Sequence, residues 1–77
     1  MPTVFEILGL RGYFFSGDHL PVHLHVVKGN ASAKIQVEPE IKVMSNSGLK
    51  PKEISTALDL VEKYHDEIME MWNEYCK

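Results

Sequence analysis

From Val22 to Lys28 the chain alternates: Val22, Leu24 and Val26 share one side, and His23, His25 and Val27 share the other. Gly29-Asn30 follows, a two-residue hairpin signal because both residues tolerate positive φ. The return stretch, Ala31 to Val37, alternates as well. A two-residue turn pairs Lys28 with Ala31, Val26 with Ala33, His25 with Lys34, Leu24 with Ile35 and His23 with Gln36. Both strands then agree on an apolar face and on a polar face carrying His23, His25, Ser32, Lys34 and Gln36.

Flanking segments complete a sheet. Residues 3–8 are rich in β-branched and aromatic types and predict a strand. Gly9 and Gly12 bracket Leu10-Arg11 as a turn, and Tyr13–Ser16 predicts a second strand. Residues 17–21 form a loop, since Pro21 lacks the amide hydrogen a central strand uses. Ile41–Met44 predicts a further strand, with Ser45–Gly48 as a loop. Beyond Pro51 the period becomes helical, with Ile54, Leu58, Val61, Ile68, Trp72 and Tyr75 as the apolar stripe. One long helix is the simplest reading, and a bend near Lys63–His65 giving two helices is the alternative. The fold class is α+β: one domain over residues 1–77, an antiparallel sheet of four or five strands covered on one face by the helical segment.

Composition narrows the classes. The chain is 44% hydrophobic and 25% charged, which is globular rather than disordered. A lone cysteine, Cys76, supports neither a disulfide framework nor a cysteine zinc site and reads as an ordinary terminal thiol. The start lacks a basic, apolar leader pattern and no apolar run approaches the roughly 20 residues of a membrane span. A cytoplasmic protein without membrane contact is the expectation. A core of this size also makes a partner or a homodimer the natural source of extra stability. The net charge of −3 divides unevenly, with the acidic surplus carried by Glu62, Asp66, Glu67, Glu70 and Glu74 in the helical segment. The lack of a basic surplus disfavours a free-standing duplex-DNA binder. A weakly positive N-terminal part suits RNA, and the acidic helix face suits a basic partner.

Candidate chemistry centres on Asp18-His19-Leu20-Pro21-Val22-His23-Leu24-His25. Two histidines two apart on a strand place their Cα atoms about 6.5–7 Å apart on one face, a workable spacing for ligands. Asp18, His19, His23 and His25 are therefore candidate ligands for zinc, nickel or iron. Lys34, opposite His25, opposes a divalent cation. The same groups suit metal-free acid–base chemistry on RNA, with His23 and His25 transferring protons, Lys34 stabilising a phosphoryl oxyanion and His19 assisting from the loop. A third reading has the imidazoles only tie the loop to the strand, with Asp18 organising the turn. No cofactor is specified. Tyr13 and Phe15 share a face; on the histidine side they can stack on a base, and otherwise they belong to the core with Phe14 turned outward.

Met1-Pro2-Thr3-Val4, the central Asp18-His19-X-Pro21-X-His23-X-His25-Val26 and the terminal Trp72-Asn73-Glu74-Tyr75 together resemble the small bacterial domain-of-unknown-function family 4160. Many members carry a second proline where this chain has Val22. The resemblance implies a compact bacterial protein, frequently encoded beside another small protein in what has been suggested to be a toxin–antitoxin pair. It implies no cofactor and no assigned catalytic residue. The strand-borne histidines are also similar to those of the histidine-triad hydrolases, but Pro21 interrupts the alternation and the chain is short for that fold.

Overall fold

The computed structural model describes residues 3–15, 17 and 19–76. Five strands, β1 (Thr3–Ile7), β2 (Leu10–Tyr13), β3 (His23–Lys28), β4 (Ala31–Gln36) and β5 (Lys42–Ser47), precede helices α1 (Pro51–Lys63) and α2 (His65–Tyr75). The strands form a single antiparallel sheet in chain order, which with the two helices makes an α+β fold. No described helix is long and apolar enough to cross a membrane.

The β3–β4 hairpin has the predicted register in all six pairs from His23–Gln36 to Lys28–Ala31. Gly29 has φ 59 while Asn30 stays at negative φ, the pattern of a type II′ turn. Only the first turn residue uses the left-handed freedom that both offered.

The β1–β2 turn lies two residues before the expected one. Leu8 and Gly9 form it, at φ 55 and 78, and the expected turn residues Leu10-Arg11 begin β2 instead. This pairing brings Gly12 opposite Phe5. A Cβ on Gly12 would lie 2.6 Å from two Phe5 ring carbons, so the ring occupies the space that the missing side chain leaves. Leu8 bears the conformational cost, about 1–2 kcal/mol for an L-residue in the left-handed region.

Strand β5 also departs from expectation, running over Lys42–Ser47 rather than stopping at Met44. Every residue of it is exposed, and a register shift at Lys34/Ile35 bends its pairing with β4. Ser45, Asn46 and Ser47 have low β propensity, and the hydrogen bonds offered by β4 override it. The Asn46 amide then fixes the crossing to α1: its Oδ1 accepts from Leu49 N–H and its Nδ2 donates to Leu49 O, both at 3.0 Å.

The helical segment is two helices, the second of the two alternatives. Lys50 N–H donates to Glu53 Oε1 at 2.8 Å and Pro51 opens α1, where its missing N–H costs nothing. Tyr64 separates the helices at φ −100, ψ 18, yet hydrogen bonds of 2.9 Å run into and out of it. Its ring stacks on Phe5 with centroids 5.9 Å apart. Beside it His65 Nε2 pairs with Glu38 Oε1 at 2.5 Å, which raises the imidazole above its ordinary pKa.

The core joins Phe14, Leu24, Val26, Ile35 and Val37 of the sheet layer to Ala57, Val61, Ile68 and Trp72 of the helices. Each large apolar side chain so buried contributes roughly 1.5–3 kcal/mol. Phe14 takes the inward position, its ring 5.8 Å from Trp72, which turns Tyr13 and Phe15 to the other side. Cys76 is buried rather than a loose terminal thiol; its Sγ donates to Phe15 O at 3.3 Å. With Gly17 N–H donating to Tyr75 O at 3.2 Å, the end of α2 is strapped over the β2–β3 connection.

Candidate functional site: an aromatic and basic sheet face

Antiparallel pairing lines up Tyr13 (β2), His25 (β3), Lys34 (β4) and Ser45 (β5) directly across four strands. Period-2 alternation then sets Arg11, Val27, Ser32 and Ser47 as the next row on the same face. Between these rows lies a concavity of about 230 Å³, lined by nine residues that all come from strands, His25 and Lys34 among them. The helices leave this part of the face open.

Tyr13 and His25 stack at 5.5 Å with planes 26° apart, and Phe15 meets both edge-on, at 5.5 and 5.0 Å. Phe15 is 44% exposed, so a large apolar ring stands in solvent on a polar face. Arg11 lies 5.4 Å over the Tyr13 ring and donates to Thr3 Oγ1 at 3.0 Å, with Glu6 across from it on β1. Lys34 is half-buried, on a central strand beside the imidazole. Flat rings for stacking thus sit on the same face as a lysine.

His23 shares the alternation but not the exposure. It is 8% exposed, with its ring 5.5 Å from Trp72 and 5.3 Å from His25. The expectation that both imidazoles look into water is not met: His23 is buried, and His25 is half-buried with its Nε2 enclosed. Trp72 arrives from α2 around the end of the sheet and covers His23, whose Nδ1 donates to Pro21 O at 2.8 Å. This contact was invisible to strand periodicity because it comes from the far end of the chain.

His19 is exposed on the loop before β3, and Asp18 lies outside the described residues. Among the described residues no group of three or more His, Cys, Asp or Glu is disposed to hold a metal ion. The structure brings together His23, His25 and Lys34, with Tyr13 and Phe15 added. Leu8 was missed altogether, since nothing in the sequence marks a leucine that will adopt positive φ.

Fold and site together define a small α+β protein with one sheet face packed under helices and the other open, aromatic and basic. The chain matches the domain of unknown function DUF4160 over residues 9–73, and it belongs to that family. No curated protein and no solved structure matches it.

Proposed function

We propose that this protein binds single-stranded RNA across the open sheet face, as one component of a toxin–antitoxin-like pair in the bacterial cytoplasm. The observation that carries the reading is the row Tyr13–His25–Lys34, with Phe15 standing beside it. Single-stranded nucleic acids are held by aromatic rings that stack on bases and by cations that track the backbone. A four-strand-wide face that carries both, with the helices on the opposite side, meets those needs. An overall charge of −3 is compatible with it, because the acidic residues Glu62, Asp66, Glu67, Glu70 and Glu74 are all on the exposed side of the helices.

If RNA is also cleaved, His25 is the proton-transfer group and Lys34 the stabiliser of the phosphoryl oxyanion. His23, under Trp72, then serves to hold the His25 ring at its angle rather than to meet substrate.

Fluorescence anisotropy with a short labelled oligouridylate tests the proposal. Stacking contributes about 1–3 kcal/mol per base, so Phe15→Ser should weaken binding by roughly fivefold or more. Lys34→Ala should weaken it and reduce the slope of log K against log salt by about 0.7, the loss of one phosphate contact. A folded wild-type chain that fails to bind at low salt, or variants that bind as it does, would remove the reading.

A further inference from the structure

At the Lys28 end of β3, away from His23, a second concavity of about 310 Å³ opens between the Leu8-Gly9 turn and the first turn of α1. Leu10 and Leu8 give it an apolar floor and lip, and Lys28, Lys50 and Lys52 stand around it. The stem of Lys28 crosses Gly9 so closely that a Cβ there would lie 3.2 Å from its Cε. Its ammonium reaches Glu53 Oε2 at 2.9 Å, while Glu53 Oε1 accepts from Lys50 N–H. Both oxygens of the one carboxylate at this site are thereby engaged, and these contacts hold its pKa below the ordinary value. Lys50 and Lys52 make no ion pair among the described residues. The rim therefore keeps a positive excess on a chain whose net charge is −3.

Leu8 is the second observation. It is 75% exposed and is the only non-glycine residue at positive φ among the described residues. Asn or Gly would close the same turn with less strain. A leucine there adds nothing to the core and opposes the backbone it sits on. Apolar side chains displayed at a strained turn beside a groove suit a contact made outside the chain.

We propose that this groove is the docking site for an acidic segment of another protein, which lays an apolar side chain between Leu8 and Leu10 and sets carboxylates against Lys50 and Lys52. A second copy of this chain is a poorer occupant. Its acidic surface is on the helices, so the contact would join two different surfaces and give rings or open filaments, not the common two-fold dimer. The site is separate from the RNA-binding face and does not rest on it.

The test is an NMR titration of the ¹⁵N-labelled full chain with a short synthetic peptide of Glu and Ser carrying two central leucines. Amides of Leu8, Gly9, Leu10 and Thr56 should shift, with those of Tyr13 and His25 unmoved. Leu8→Gly should keep or raise Tm while weakening the peptide about tenfold, the loss expected for one buried leucine. Lys50→Gln with Lys52→Gln should weaken it as well. The proposal is overturned if the peptide produces no shifts. It also fails if a peptide without leucines binds equally, or if the shifts track self-association in sedimentation. Groove shifts produced by oligouridylate and not by the peptide would overturn it too, since they would make this an RNA contact.

Discussion

Replacing Gly12 by alanine tests how the first hairpin is packed. Gly12 has ordinary backbone angles, so its need is for space rather than for conformation. The added Cβ would lie 2.6 Å from two ring carbons of Phe5 and 3.0 Å from Leu24 Cδ2. Ordinary carbon–carbon contact begins near about 3.5 Å, so the Phe5 ring must retreat by roughly 1 Å. It has little room, being 5% exposed and backed by the Tyr64 ring at the helix junction. Overpacking of this kind costs about 1–3 kcal/mol. Alanine recovers about 0.5–1 kcal/mol by narrowing the unfolded ensemble. The expected net loss is about 1–2 kcal/mol, a Tm fall of roughly 5–15 °C for a domain of this size. Circular dichroism melts and urea titrations measure it. A second arm, Gly12→Ala with Phe5→Leu, should cost less than the sum of the single changes, because the smaller side chain vacates the contested volume. A Gly12→Ala protein as stable as wild type, or strict additivity in the double variant, would refute the packing argument.

Three further outcomes are expected. Trp72→Ala removes the side chain that covers both Phe14 and His23 and should cost about 3–5 kcal/mol, enough to leave a 77-residue domain largely unfolded at 37 °C, whereas Trp72→Phe should fold. A well-folded Trp72→Ala with an unchanged Tm would contradict the placement of α2. Because His65 has a raised pKa, its pairing with Glu38 stabilises fully below the unfolded value of 6.5 and is lost as pH rises through the folded value. The effect is well under about 1 kcal/mol for so exposed a pair, and Tm measured between pH 6 and 8 should decline less steeply in His65→Gln than in wild type. Asn46→Ala removes both bonds to Leu49 and should cost about 1–2 kcal/mol by urea denaturation, with Asn46→Asp recovering part of it by keeping the acceptor.

The parts of the fold legible in the sequence are those where local signals agree. In β3–β4, alternation and a glycine-led turn point to one register, and that register is the one formed. Where two signals compete, tertiary contacts decide. Gly9 and Gly12 bracket Leu10-Arg11 as a turn, yet both of those residues and Gly12 lie in β2, where the Phe5 ring occupies the space over Gly12. Three successive aromatics, Tyr13-Phe14-Phe15, admit either facing on period 2; Trp72 selects Phe14 for the core, which puts Tyr13 and Phe15 beside His25. The polar residues Ser45–Ser47 hid the second half of β5, because their pairing comes from β4 and not from their own propensity. The candidate site was readable as far as His25 and Lys34 lie opposite each other. Its remaining features, the cover over His23 and the exposed Leu8, depend on a distant helix and on a backbone angle.

Each strand pairs with its immediate predecessor along the chain, and both helices come last. On a ribosome moving at about 5–20 residues per second, the five-stranded meander can emerge and pair before its greasy underside is shielded. For roughly one to five seconds the nascent sheet would present Leu24, Val26 and Ile35 to water, a window in which chaperones compete with aggregation. Translation speed through the codons for residues 51–75 is therefore a variable to which the yield of folded protein should respond.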